Sequence, residues 1–274
     1  MGKSTEQERE ERCTAIVLAA GSGKRMGTSV KKQYLLLNGT PVLYYALKAF
    51  ENSERIQQII LVTGEGEETY CKEEIVETYG FQKVSAIVAG GKERYHSVWN
   101  GLNAMAESNR SERGSESGTG SLRGAVSVTE TEGEEYIFIH DGARPFVDQA
   151  TIERAYQEVR KSRACVVGVP TKDTVKIADD NGFVAETPVR KYVWQIQTPQ
   201  VFEKQLVWEA YACLIEQERT GKLSMQVTDD AMVVESMMNH PVKLVMGTYE
   251  NIKLTTPEDL ETGEVFARRI CEKI

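Results

Sequence analysis

The sequence predicts an α/β fold: a mostly parallel, twisted sheet with helices on both faces and a β-hairpin arm projecting from it. Three observations carry this. Short apolar runs alternate with segments whose apolar residues recur at helical spacing, the pattern of successive βαβ units. The first apolar run leads straight into a glycine-rich loop, where sheets of this kind place a ligand. One region, 170–192, breaks the rhythm with polar, turn-containing residues around Asn181-Gly182, a hairpin signal.

The elements follow in order. The run 15–18 comes after a polar stretch and reads as a buried strand. In 41–51, Val42, Tyr45, Ala46, Ala49 and Phe50 recur at helical spacing behind Pro41, which a helix accepts at its start. Residues 59–62 read as strand, 67–79 as helix, 84–88 as strand and 93–106 as helix. Strand 136–140, helix 149–161 and strand 165–169 follow. Beyond the arm come helices 203–217 and 228–235, strand 242–246 and helix 257–270. Two segments lack the apolar content of a core: 1–12, almost wholly polar, and 107–135, rich in Ser, Glu and Gly with no aromatic residue. Such stretches do not offset their ordering entropy, so a disordered tail and a flexible surface insertion are expected around one domain, 13–272.

Composition narrows the function. Among 274 residues, Lys plus Arg number 33 and Asp plus Glu 41, for a net charge of −8. A protein living on nucleic-acid backbone shows a basic surface instead, so a nucleic-acid partner is not expected. No run approaches the ~18 apolar residues of a membrane helix. The charged start has no apolar core, so a signal peptide is not expected. The five cysteines are odd in number, widely spaced and form no C-x-x-C pair. A zinc cage or disulfide framework is therefore not expected, and reduced thiols in a cytoplasmic protein are.

The loop Ala19-Ala20-Gly21-Ser22-Gly23-Lys24-Arg25-Met26-Gly27 can lay backbone N–H groups against phosphate. Neither the dinucleotide pattern nor the P-loop pattern fits, because Met26 stands where each requires glycine. Four cations, Lys24, Arg25, Lys31 and Lys32, lie close together in this acidic chain. They point to a ligand with several phosphates; taken alone, the loop reads equally well as an ordinary glycine-rich turn with solvated charges.

The motif Leu18-Ala-Ala-Gly-Ser-Gly-Lys-Arg-Met26 followed by Lys32-Gln33-Tyr34-Leu35 resembles the nucleotidyltransferases that join a sugar or polyol phosphate to a nucleoside triphosphate. The resemblance continues through Gly90-Gly91-Lys92-Glu93-Arg94 with Ser97-Val98, and His140-Asp141-Gly142-Ala143-Arg144-Pro145. It then runs through Asp173-Thr174, Thr198-Pro199-Gln200, Thr228-Asp229-Asp230 and Asn251-Ile252-Lys253. The ordered set is similar to the 2-C-methyl-D-erythritol 4-phosphate cytidylyltransferases and covers about 13–272 apart from the insertion. It implies a Rossmann-like nucleotidyltransferase fold, CTP and a polyol phosphate as substrates, Mg²⁺ as cofactor, and a homodimer formed through the arm.

The resemblance also implies roles. Arg25 and Lys32 would act on the triphosphate, where the planar fork of Arg and the point charge of Lys are not interchangeable. Ala19, Ala20, Gly21, Gly23, Gly91, Lys92, Ser97 and Gly142 would frame the nucleotide, partly through backbone groups. The family commonly carries Asp where this chain has Lys92, and often Pro where it has Lys31. Asp141, at the end of an apolar strand, would bind substrate or Mg²⁺, with Arg144 ordering its loop; an Asp before glycine is also an ordinary turn choice. His140 reads as a packed strand-end residue. Thr174 and Arg190, on the arm, would serve a partner's site, Lys253 would grip the acceptor phosphate, and Thr228 and Asp229 would face its hydroxyls. Asp229-Asp230 could equally be a helix N-terminal acidic pair. The three histidines form no nucleophilic triad with Ser or Cys in view. Phosphate attack needs none, since a phosphomonoester is mostly dianionic at neutral pH. Two alternatives stay open here: a ribitol-5-phosphate cytidylyltransferase, and a nucleotide-binding regulatory protein without turnover.

Overall fold

The computed structural model describes residues 11–21, 30–112 and 134–271. Strand β1 spans Arg12–Ala19, followed by a short hairpin of β2 (Leu36–Leu37) and β3 (Thr40–Pro41) that leads into helix α1 (Val42–Glu51). Strand β4 (Gln58–Thr63), helix α2 (Glu68–Tyr70), β5 (Val84–Ala89), α3 (Arg94–Glu112), β6 (Glu135–Asp141), α4 (Gln149–Ser162) and β7 (Ala164–Pro170) continue the alternation. The arm holds β8 (Ile177–Ala178) and β9 (Val184–Glu186). After it come β10 (Trp194–Glu203), α5 (Lys204–Arg219), α6 (Asp230–Met238), β11 (Lys243–Met246) and α7 (Pro257–Cys271).

Seven strands form one sheet in the order β11-β7-β10-β6-β1-β4-β5. All neighbours are parallel except β10, which runs antiparallel to both β6 and β7. The sheet is covered on both faces because β1 alternates. Ala15 and Val17 pack with Leu43, Leu47 and Phe50 of α1 and with Ile152, Ala155 and Val159 of α4. Ile16 points the other way, into Val98 and Leu102 of α3, Val207 and Tyr211 of α5, and Val233 of α6. An apolar run buried on both sides is what strands of a doubly covered sheet require.

Three sequence expectations shift. The sequence predicts no strand over 194–202, yet β10 lies in mid-sheet. Thr198-Pro199-Gln200 interrupts any apolar run there, and Pro199 has no N–H for the ladder. Its place is the register irregularity between Ile196 and Gln200, where proline is tolerated. The helix expected over 67–79 is split: α2 passes into a wider π-type turn over Cys71–Glu77. Helix α3 runs to Glu112, so the insertion expected from 107 begins inside a helix, while 113–133 lie outside the described residues.

The arm leaves the sheet between Pro170 and Trp194, which still pair with each other. Its turn is closed by Asp179, whose Oδ1 accepts from the backbone N–H groups of Asn181 and Phe183, with Gly182 at φ +83°. Glycine takes that left-handed conformation without strain. Phe183 and Tyr192 are each 73% exposed, and Ile177, Val184 and Val189 are also exposed.

Candidate active site

The site lies at the carboxyl ends of β1, β5 and β6, where open α/β sheets bind ligands. Two clefts adjoin there. The first, about 380 Å³, is walled by Leu18 to Gly21, Lys32, Gln33, Gly91 to Arg94 and Ser97. The second, about 330 Å³, is walled by Arg144, Ile196 to Thr198, Gln200, Thr228 and Asp229. Arg94, Asp141 and Lys253 line both.

The walls of the first cleft are set by close backbone approach. The buried Gln33 side chain donates to the Ala19 carbonyl at 2.6 Å and fixes the exit from β1. A Cβ on Gly90 would stand 2.4 Å from the Ala20 Cβ and 2.8 Å from Ser97 Oγ, so only glycine lets the loop after β5 press against the loop after β1. Ser97 Oγ accepts from the Gly91 N–H at 3.1 Å. Ala19, Ala20, Gly21, Lys32, Gly91, Lys92 and Ser97 therefore come together as the sequence suggested. Gly142 does not line the cleft: its N–H bonds the Leu18 carbonyl at 2.8 Å, and a Cβ there would meet Leu43. Gly23 and Arg25 lie outside the described residues.

The shared wall is a charge cluster. Lys253 Nζ is 2.7 Å from Asp141 Oδ2, and Arg94 Nε is 3.3 Å from Asp141 Oδ1. The two terminal nitrogens of Arg94 fork onto Asp230, at 2.6 and 2.8 Å, and Tyr211 donates to Asp230 Oδ1 at 2.5 Å. Burial pushes the Asp141 carboxyl up, but Arg94 and Lys253 together outweigh it and hold the group well below the usual carboxylate range. Burial likewise opposes the charge on Arg94, and Asp230 and Asp141 more than restore it. The cluster thus keeps its charges on the wall that the two clefts share.

Around it, Thr198 Oγ1 accepts from the Asp141 N–H at 3.1 Å, and His140 Nδ1 lies 3.0 Å from the same hydroxyl. Arg144 donates to the carbonyls of Asn251 and Ile196, tying the loop after β6 to β10 and to the segment carrying Lys253. Asp229 caps α6 through Met232 N–H while its other oxygen accepts from Gln200. The helix-cap reading therefore belongs to Asp229, and it still faces the second cleft; Asp230 is instead a buried ion-pair partner. Thr174 and Arg190 line neither cleft: both are exposed on the arm, and Arg190 reaches the Lys172 carbonyl at 3.4 Å.

Arg94, Asp230, Tyr211, Thr198, Gln200 and Gln33 are the site residues that sequence reasoning did not select. All but Tyr211 stood within the quoted motifs. Their role comes from pairings between distant segments, which spacing does not display.

His140 is fully buried, packs edge-on against Phe50, and is pushed by burial from the ordinary 6.5 down to about 4. It is a neutral strut, as expected from its strand-end position. Its folded form resists protonation, so the unfolded chain binds the extra proton between these values. This stability contribution is complete above pH 6.5 and is lost as the pH falls through about 4. Urea unfolding should show a loss on the order of 3 kcal/mol across that window. A His140→Gln variant should show a flatter acid limb; an identical slope in both proteins would remove His140 from it.

Comparison with known proteins agrees with this geometry. The family model IspD, 2-C-methyl-D-erythritol 4-phosphate cytidylyltransferase, matches residues 13–114 and 112–269. The enzyme of that name from Lachnoclostridium phytofermentans is 47% identical over 258 residues, 94% of this chain and 97% of the relative. That from Lachnospira eligens is 46% identical over 255 residues, 93% of this chain and 99% of the relative. The crystal structure of 4-diphosphocytidyl-2C-methyl-D-erythritol synthase from Anaerococcus prevotii superimposes with a TM-score of 0.71 at 30% identity, over 94% of this chain and 96% of that one. With many of the motif residues gathered at the carboxyl ends of the strands and near-complete coverage of such relatives, the chain belongs to the 2-C-methyl-D-erythritol 4-phosphate cytidylyltransferase family.

Proposed function

We propose that the chain transfers the cytidylyl group of CTP to 2-C-methyl-D-erythritol 4-phosphate, giving 4-diphosphocytidyl-2-C-methyl-D-erythritol and pyrophosphate for isoprenoid synthesis. The observation that carries this, beside family membership, is the pair of clefts meeting at Arg94, Asp141 and Lys253. A phosphate oxygen of the acceptor attacks the α-phosphorus of CTP. A P–O bond forms there as the bond to the pyrophosphate oxygen breaks, and pyrophosphate carries away the electron pair. The dianionic nucleophile needs no general base. The protein's task is to hold two polyanions together and to stabilise charge on the transferring group.

In this reading the first cleft takes CTP, with Ala19, Ala20, Gly91 and Ser97 around base and ribose and Lys32 on the triphosphate. Arg25 completes the phosphate loop. Lys253 holds the acceptor phosphate, and Thr228 and Asp229 face its hydroxyls. Asp141, ion-paired on both oxygens, orients Lys253 and Arg94 between the substrates.

Mg²⁺ fits this donor set as a nucleotide-borne ion. Among the described residues no group of three His, Cys, Asp or Glu could hold a metal, while Asp141 offers one carboxylate on the shared wall. Mg²⁺ characteristically takes one or two carboxylates plus substrate phosphates. When bound it neutralises phosphate charge. Transfer should therefore stop on exhaustive chelation with EDTA and return with Mg²⁺; full activity after chelation would contradict this. Coupled pyrophosphate release tests the function itself. Turnover is expected with CTP and the methylerythritol phosphate; turnover only with ribitol 5-phosphate would overturn the assignment.

The single domain, 13–272, carries the arm as its dimerisation element. Exposed Phe183 and Tyr192 supply apolar surface for a second copy, and Thr174 and Arg190 would then reach the partner's acceptor cleft. No helix among the described residues is long and apolar enough to cross a membrane, and Cys13, Cys71, Cys165 and Cys213 are unpaired thiols. We place the enzyme in the cytoplasm.

A further inference from the structure

At the start of α3, beside the first cleft, Tyr95 and His96 reach one carboxylate on α5. Tyr95 donates to Glu218 Oε1 at 2.7 Å, and His96 Nε2 lies 2.7 Å from Glu218 Oε2. The other ring nitrogen, Nδ1, lies 3.1 Å from the Glu93 backbone nitrogen. A backbone N–H only donates, so Nδ1 accepts. In the neutral ring the proton then sits on Nε2, facing a carboxylate that only accepts. Both ring nitrogens are thus matched, and the ring is fixed in one orientation. Glu93 precedes the first residue of α3, so His96 stands three positions into the helix from its cap. There it bonds the cap residue's N–H, the role that Glu or Gln fills in a capping box. The residue also backs the loop directly: a Cβ on Gly91 would stand 2.3 Å from the His96 Cβ and 3.3 Å from Cγ of the ring.

We propose that His96, oriented by Glu218, is a positioning residue for CTP: it sets the Gly91–Glu93 loop that walls the nucleotide cleft. The inference rests on that cleft being the CTP site. Tyr95 and His96 hydrogen bonds keep Glu218 below the ordinary carboxylate range, so it is charged at neutral pH. The Lys92 charge acts in the same direction. His96 and Glu218 are partly exposed, at 24% and 35%, so substitutions there open no core.

The test is a split of kinetic constants. His96→Ala should raise KM for CTP about three- to tenfold, the worth of one net hydrogen bond. It should leave kcat and the polyol-phosphate KM within about twofold of wild type. His96→Gln, which restores a capping acceptor, should bring KM for CTP back. Glu218→Ala should raise KM for CTP less, and adding it to His96→Ala should change nothing further, because the two act as one unit. Equal rises in both substrate constants, a lowered melting temperature with KM for CTP unchanged, or failure of Gln to rescue would each overturn the proposal. Ser97→Ala separates the two levels. If it raises KM for CTP while His96→Ala does not, the positioning role alone falls. If neither changes KM for CTP, the assignment of the cleft falls with it.

Discussion

Lys32→Ala is expected to lower kcat by about a hundredfold, roughly 3 kcal/mol of transition-state stabilisation, the usual cost of removing one donor aimed at developing charge. The melting temperature should stay close to that of the wild type. Lys32 opens a short 3₁₀ turn after the glycine-rich loop, and it lines the first cleft, with Cε 4.0 Å from where a Gly21 Cβ would stand. In the proposed reading its charge lies on the triphosphate and counts most as pyrophosphate begins to leave. The adjacent Lys31 supplies the control. Its Nζ pairs with Glu67 at 2.8 Å and lines neither cleft, so Lys31→Ala should cost no more than about 1 kcal/mol of stability and leave kcat unchanged. Single-turnover measurement of cytidylyl transfer distinguishes the two. Near-normal turnover in Lys32→Ala with an intact fold would remove Lys32 from the chemistry.

The contrast between these neighbouring lysines shows what the sequence could and could not tell. Charge density alone pointed to a phosphate ligand or to an ordinary solvated turn and counted both lysines equally; the family resemblance favoured Lys32, and the structure puts Lys32 on the cleft wall and Lys31 on Glu67. The alternating strands and helices were legible because β1, β4 and β6 are apolar runs buried on both faces, and α1 and α4 keep a clean helical period. Strand β10 was illegible because it owes its place to neighbours on both sides rather than to its own composition: Gln195, Gln197 and Pro199 read as a loop. The motif residues on the first cleft wall were legible as a string through the family resemblance, although what joins them is the approach of the loop after β5 to the loop after β1. The Asp230–Arg94–Asp141 chain was not. It joins α6, α3 and the end of β6, and an acid at the start of a helix looks the same in sequence whether it faces solvent or a buried guanidinium. Gly142 shares the motif, but its N–H bonds the Leu18 carbonyl and its missing Cβ leaves room for Leu43, so it does not line the cleft.

The arm carries the second large effect. Arg190 lies on it, exposed, its hydrogen bond among the described residues going to the Lys172 carbonyl, while Lys32 lines the chain's own cleft. If the arm embraces a second copy, each site draws Lys32 from one subunit and Arg190 from the other, and a two-fold dimer holds two such composite sites. Lys32→Ala and Arg190→Ala should then each be nearly inactive alone. Mixed with subunit exchange, they should recover activity. A heterodimer places both lesions in one site and leaves the other whole. With random exchange about half the dimers are mixed, each with one intact site, so about a quarter of wild-type activity should return. Exchange is verified independently, by mass spectrometry of differently tagged chains. If the arm instead folds against its own subunit's acceptor cleft, every site in the mixture carries one lesion. Activity then stays at the level of the single variants, and the shared-site arrangement is wrong.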